Sequence, residues 1–292
     1  LLSIGYQSKM VLPYSRLSVK QVPSDISKDP ASEISLLVTN ILMTNRSDER
    51  YLEVAEAADP DIQIVLEADD WWETRLQPLE ERYDHQVKVP LENTYGMLLY
   101  SRFPLMDTHV KYLVEEDVPS VHTLVRLASG RVIRLHCIHP RPPRPLRNQD
   151  TAARDAELLL IGRTVRKTTL PVIVAGDYND VGWSTTTTLF QRISGLLDPR
   201  IGRGMFSTFH ARYPVFRFPL DHIFHSVHFS LGEFKRLQSV GSDHFPLYCK
   251  LVLDPVPDSV PDILEASEEH QKEAMELVDK AEPLDDLTSL NN

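Results

Sequence analysis

The sequence predicts an α/β fold in which two mixed β-sheets pack face to face with helices on the outside. Three observations predict it. Short apolar runs of strand length alternate with amphipathic stretches of helical period, which calls for helices covering a sheet. Hairpin signals interrupt that alternation, so the sheets are mixed rather than purely parallel. With 292 residues, 42% of them hydrophobic, there is material for a sizeable core.

The elements follow in chain order. Residues 1–33 show little periodicity, with Pro13, Pro23 and Pro30 as breakers, and are expected to form an extended lead-in. Residues 34–40, ISLLVTN, read as a buried strand. A helix is expected from Asp48, its N-cap, to Ala58, and Pro60 ends it. DIQIVLEA is the second strand, Trp71 to Arg82 carries a helical pattern, and Tyr95 to Ser101 is the third strand. The clearest hairpin is VHTLVRLASGRVIRLHCIHP, with its turn at Ala-Ser-Gly-Arg around Gly130. Thr151 to Arg166 places Ala152, Ala156, Leu159, Leu160 and Val165 on one helical side. PVIVAG is a strand, LFQRISGLL a short helix, and PLDHIFHS and HFPLYCKLVL two further strands. No repeat of fixed period appears. A proline-spaced linker, DPVPDSVPD, separates residues 34–253 from the rest of an acidic tail, 254–292. A solvated or partly disordered tail is expected over Ile263 to Ala281, a weakly amphipathic helix being the alternative.

Charge excludes one class. The net charge is −11, but 12 acidic and 2 basic side chains lie from Asp254 onward, leaving 30 acids against 29 bases over residues 1–253. That near-neutral body lacks the global positive field of a nonspecific nucleic-acid binder, though a local basic patch stays open. No window approaches the roughly 18 apolar residues of a membrane span. Cys137 and Cys249 sit in strand-like runs and are expected as buried free thiols, with a disulfide between adjacent strands as the alternative.

Function is read at the strand ends. The buried runs finish on, or lead into, Asn40, Glu67, His139, Asp177 with Asn179, Asp221 and Asp243-His244. One polar strand end is an ordinary solvated cap. So many, all Asn, Asp, Glu or His, form a chemical set. Glu67 and Asp243, with the amide oxygen of Asn40, make an oxygen-only cluster of the kind Mg²⁺ takes. No Cys/His set has structural-zinc spacing. Histidines beside carboxylates titrate near neutrality, and Asn179 offers an N–H to developing negative charge. Together these suit hydrolysis of a phosphate ester by in-line attack of water. Nucleophile-elbow, dinucleotide and Walker motifs are missing from the sequence.

The segments VTN at Asn40, VLEAD at Glu67, YGMLLYSRFPL, HCIHPRPP at His139, VAGDYND at Asp177 and Asn179, LDHIF at Asp221 and GSDHFPL at Asp243 and His244 resemble the endonuclease/exonuclease/phosphatase superfamily, over roughly residues 34–252. Among its members the similarity is greatest to bacterial proteins whose catalytic domain follows N-terminal membrane helices. The resemblance implies the four-layer DNase I-like sandwich, a Mg²⁺-dependent phosphoesterase (Mn²⁺ the alternative metal), and a membrane-tethered catalytic domain outside the cytoplasm. It implies roles as well. Glu67 binds metal with Asn40 and Asp243; Asp177 orients or deprotonates water; Asn179 holds a phosphoryl oxygen. Asp243 also polarises His244, which contacts the scissile phosphate. His139 acts on the phosphate or leaving group, with Asp221 as its carboxylate partner. A nuclease on DNA or RNA is the first expectation, because the DNase-type histidine is present. A phospholipid or inositol-phosphate phosphodiesterase is the second, and a non-catalytic binding module the reading of another class. No protein partner is identifiable, and a monomer is expected.

Local geometry adds detail. Gly176 is expected to let the chain turn as it leaves the sheet. Persistence of extended backbone would point Asp177 and Asn179 the same way and Tyr178 into the core. Asp180 is expected to cap the loop. Arg141, Arg144 and Arg147 form a basic, proline-rich loop after His139, either solvated or touching substrate phosphates. Asn93 and Tyr95 either reach the site or end a turn. Trp183 either stacks on a planar group or packs under the loop. His136 and His222 are expected to face away from the site.

Overall fold

The computed structural model describes residues 2–24, 29–143, 150–253 and 263–287. One sheet has six strands: β1 (Glu33–Asn40), β2 (Ile62–Leu66), β3 (His85–Val89), β4 (Met97–Ser101), β10 (Phe229–Arg236) and β11 (Leu247–Leu253), in the order β10-β11-β1-β2-β4-β3. The other runs β5-β6-β7-β8-β9: β5 (Leu105–Lys111), β6 (Ser120–Arg126), β7 (Val132–Ile138), β8 (Val172–Asp177) and β9 (Asp221–His225). Each sheet is mixed. β1–β2 and β7–β8 are parallel, and the other pairings are antiparallel.

Alternation along the strands builds four layers. Inward residues of both sheets, among them Leu36, Ile64 and Leu99 from one and Leu135, Ile173 and Ile223 from the other, form one buried cluster. Outward residues Leu37, Val65 and Leu98 pack against α2 (Asp48–Ala58) and α3 (Asp70–Arg75). On the far side Ile138, Val174 and Phe224 pack under α4 (Ala152–Lys167), α5 (Thr185–Ser194) and α6 (Glu268–Lys280).

Several elements differ from expectation for local reasons. The helical pattern of Trp71 to Arg82 divides at Pro78, where α3 gives way to a 3₁₀ segment, Gln77–Glu81. β3, β5 and β10 escape a periodicity reading because they are edge strands without clean alternation, β3 being half-buried throughout and the other two mixed. Helix α5 begins earlier than LFQRISGLL, since Ser184 caps it by accepting from Thr187 N. The lead-in is not extended as expected: it opens with helix α1 (Leu2–Val11), and beyond it Val22 is fully buried and Tyr14 nearly so. Residues 268–280 form α6 rather than a solvated tail. Ser267 caps it, and Ala274 and Val278, four apart, bury one narrow stripe against α4 and α5. Cys137 on β7 and Cys249 on β11 are free, buried thiols in different sheets. Among the described residues no helix is long and apolar enough to cross a membrane.

Candidate active site

The site forms where strand ends of the two sheets meet. β1 ends at Asn40, which lies opposite Leu66 in the parallel β1–β2 register, so Glu67 emerges beside it. In the other sheet Asp177 at the end of β8 pairs with Asp221 at the start of antiparallel β9. His139 follows β7 by one residue, and Asp243-His244 precede β11.

Asp177 Oδ2 is the hub. It accepts from Asn40 Nδ2 at 3.0 Å and lies 3.7 Å from His244 Nε2 and 3.8 Å from His139 Nε2. The same Asn40 nitrogen donates to Glu67 Oε1 at 2.9 Å, so one amide ties carboxylates from both sheets together. The Asn40 oxygen accepts from Leu42 N at 3.0 Å. Asn40, His139, Asp177, Asp221 and His244 are buried, while Glu67, Asn179 and Asp243 are half-buried and form the mouth.

The carboxylate pairing differs from expectation. Asp221 Oδ2 bonds His244 Nδ1 at 2.8 Å, so Asp221 is the partner of His244 and not of His139. Asp243 therefore does not hold that nitrogen; its Oδ1 faces Ser242 Oγ at 3.4 Å. Chain order could not show this, because both loops converge on one imidazole. His139 Nδ1 is buried with no hydrogen-bond partner among the described residues. Ser242, between motif residues, is a further positioning group: its Oγ donates to Asn40 O at 2.7 Å and accepts from His244 N at 3.0 Å.

Gly176 also works differently. It lies inside β8, with φ +152°, and a Cβ there would stand 1.8 Å from Ile138 O. Glycine is demanded by close approach of β7, not by a turn. Tyr178 is buried among Phe190, His222 and Phe224. Asn179 takes a left-handed φ of 50°, so the extended backbone ends at Asp177 and loop hydrogen bonds aim the Asn179 amide. Asn179 N donates to Asp177 Oδ1, Asn179 Nδ2 to Pro140 O, and Arg154 Nη1 to Asn179 O, at 2.9, 3.0 and 2.9 Å. Asp180 caps the turn, accepting from Val181 N and Ser184 Oγ.

Electrostatics follow from burial and close carboxylates. Burial drives His244 down, but Asp221, Asp177 and Asp243 outweigh it and push the imidazole up to about 10, an imidazolium at neutral pH. Burial lowers His139 against the opposing pull of Asp177. It raises Asp177, opposed by the histidines. It also raises Glu67, and Asp243 adds to that rise.

The donor set suits a hard divalent ion. Glu67 and Asp243 are two carboxylates repelling each other, opposed at Glu67 by the His244 imidazolium. A cation at that mouth would relieve both, and oxygen donors fit Mg²⁺ or Mn²⁺. Asp177, Asp221 and His244 also present ligand atoms within 4.8 Å of one another. Asp221 Oδ2 and His244 Nδ1 are already spent on each other, so that trio reads as a hydrogen-bonded Asp221–His244 pair with Asp177 3.7 Å from the other imidazole nitrogen.

The weaker candidates divide. Tyr95 lies beside His139, ring centroids 5.4 Å apart. Asn93 is turned to the surface, where its amide holds Asp117 and Tyr95 N. Arg141 stacks over Tyr95 but is ion-paired with Glu115 and Asp117 at 2.7 and 2.6 Å, so it is not a free phosphate contact. Trp183 packs edge-on against Tyr14. Arg144 and Arg147 lie outside the described residues. His136 bonds His122, and His222 bonds Arg200 and Asp180 O, both away from the hub.

Two mixed sheets within four layers, bearing this polar cluster at their joined strand ends, define a DNase I-like phosphate-ester hydrolase scaffold. The model of the Endonuclease/Exonuclease/phosphatase family matches residues 37–244, and the chain belongs to that family. Solved structures agree in fold. The human Nocturnin catalytic domain with bound sulfate superposes with TM-score 0.61 at 21% identity, covering 76% of this chain and 95% of that one. D. rerio TDP2 complexed with single strand DNA product gives 0.64 at 14% identity, covering 75% and 99%. An endonuclease/exonuclease/phosphatase from Beutenbergia cavernae gives 0.62 at 15%, covering 82% and 76%. No curated protein matches the chain by sequence.

Proposed function

We propose that the chain is a divalent-metal-dependent phosphodiesterase that cleaves by in-line attack of water, with nucleic acid as its first substrate class. One observation carries the reading: the Asp177 carboxylate stands within reach of two imidazoles and is tied by Asn40 to Glu67. Glu67 and Asp243, beside Asn40, hold the metal, Mg²⁺ first and Mn²⁺ second. When bound it supplies Lewis acidity toward a phosphoryl oxygen. Asp177, its carboxyl raised by burial, takes the proton of the attacking water. His244, kept cationic by Asp221, stabilises charge on the phosphate. Asn179 donates to a phosphoryl oxygen after releasing Pro140 O. His139 acts on the leaving group.

The preference for nucleic acid draws on the single strand DNA product bound to D. rerio TDP2. A phospholipid headgroup is the second reading, favoured by exposed Tyr213, Val215 and Phe216 on a loop whose Phe209 and Ala211 pair with His244 and Asp243. Plasmid DNA, RNA, phospholipid vesicles and bis-p-nitrophenyl phosphate, assayed side by side under Mg²⁺ titration, separate the readings. Flat activity on all four, with and without metal, would leave only a non-catalytic binding module.

A further inference from the structure

Eight of the eleven large hydrophobic side chains exposed among the described residues fall in two stretches, 12–19 and 205–218. Leu17, Val19 and Val215 are 95%, 89% and 87% exposed, and Phe216 is 64% exposed. Isolated exposed apolar residues are ordinary; such clustering is not.

The second stretch is fastened to the candidate site, and the first to the turn at Gly202 that leads into the second. Phe209 pairs with Phe218 and with His244, and Ala211 N donates to Asp243 O at 2.6 Å. The loop carrying Tyr213, Val215 and Phe216 therefore springs from the site's own residues. In the other stretch Tyr14 bonds Asp198, packs on Trp183 four residues past Asn179, and is followed by Lys20, which lies against Gly202. Gly202 in turn donates to Pro13 O and leads into the 205–218 stretch.

Their charge is equally one-sided. The chain carries 42 Asp and Glu, yet none occurs in residues 1–24 or 199–220. Arg16 within the first stretch and Lys20 just after it are exposed. Arg212 and Arg217 flank the second tip and donate to the main-chain carbonyls of Gly241 and Ala211.

We propose that these two stretches dock the chain on the surface of an anionic phospholipid bilayer, with the aliphatic and aromatic tips among the acyl chains and the basic residues at headgroup level. Aliphatic tips without acids, collared by Arg and Lys, are complementary to an apolar layer beneath a negative surface. Unpaired bases would stack on the rings but leave Leu17, Val19 and Val215 without a partner. Docking brings the candidate site to the depth of headgroup phosphates. That consequence for substrate rests on the phosphodiesterase reading; the docking itself does not.

The test is cosedimentation of the chain with vesicles of phosphatidylcholine alone and with about one third phosphatidylserine. Binding to the anionic vesicles, weakened by salt, is expected. The double variants Val215→Asp with Phe216→Asp, and Leu17→Asp with Val19→Asp, should each weaken it about tenfold or more while leaving hydrolysis of bis-p-nitrophenyl phosphate unchanged. Wild-type chain that cleaves that ester yet ignores anionic vesicles would overturn the docking and leave the catalytic reading standing. Vesicle binding without hydrolysis would sink the catalytic reading alone. A loss of oligonucleotide affinity in Phe216→Ala, with no vesicle binding by the wild type, would assign the loop to nucleic acid instead.

Discussion

Glu157 gives the most quantitative prediction. It sits on α4, is 3% exposed, and its Oε1 has no hydrogen-bond partner among the described residues. Burial, reinforced by Glu115, pushes its carboxyl up from 4.5 to about 8. The folded chain holds it neutral, whereas the unfolded chain lets it ionise. Stability from this group is thus full below pH 4.5 and is lost as pH rises toward 8, above which the loss is complete. Each pH unit in that window costs about 1.4 kcal/mol, or about 3 kcal/mol by pH 7. Glu157→Gln keeps the shape and removes the titration. Urea unfolding of both proteins from pH 5 to pH 8 should show the glutamine variant gaining about 1.4 kcal/mol per unit relative to wild type. Any fixed cost of burying the amide cancels in that slope. A stability difference independent of pH would refute the reasoning, because it would mean the carboxylate is ionised in the fold with a counter-charge.

The remaining predictions concern the site and its frame. Glu67→Ala should raise the Mg²⁺ concentration needed for half-maximal activity and cut turnover severely; full Mg²⁺-stimulated activity would refute the metal assignment. Asn179→Ala and His244→Ala should each lower kcat about 100- to 1,000-fold with the circular dichroism of the wild type. Asp221→Asn removes the hydrogen-bonded carboxylate from His244 and should move the alkaline limb of the kcat profile to lower pH, and further than Asp243→Asn does, because Asp243 is the weakest of the three carboxylates that raise the imidazole. Gly176→Ala should destabilise the chain by about 3 kcal/mol or more in thermal unfolding, since its Cβ would overlap the Ile138 carbonyl.

Most of the frame was legible from sequence because it depends on period and on breakers. β1, β2, β6, β7, β8 and β11 are buried runs bounded by turn chemistry, and α2 and α4 carry helical stripes. Edge strand β9 is buried throughout and was legible, whereas the edge strands β3, β5 and β10 were not, because their half-buried and exposed positions carry no clean alternation. Nor was α6, whose apolar stripe is only two buried residues wide in an acidic segment and acquires a partner only when α4 and α5 are in place.

By itself the sequence determined the residue types at each strand end, and therefore the chemistry available: Asn, Glu, Asp and His, with no thiol or hydroxyl nucleophile. Partnership was left to the tertiary structure. Asp221 and His244 lie 23 residues apart, and Asn40 and Asp177 lie 137 apart. Their union requires two sheets to pack with strand ends at one edge, a packing set by the shared apolar interior rather than by the polar residues themselves. Hence Asp221 meets His244 and not His139, and glycine is required at 176 by a neighbouring strand that no local pattern could announce.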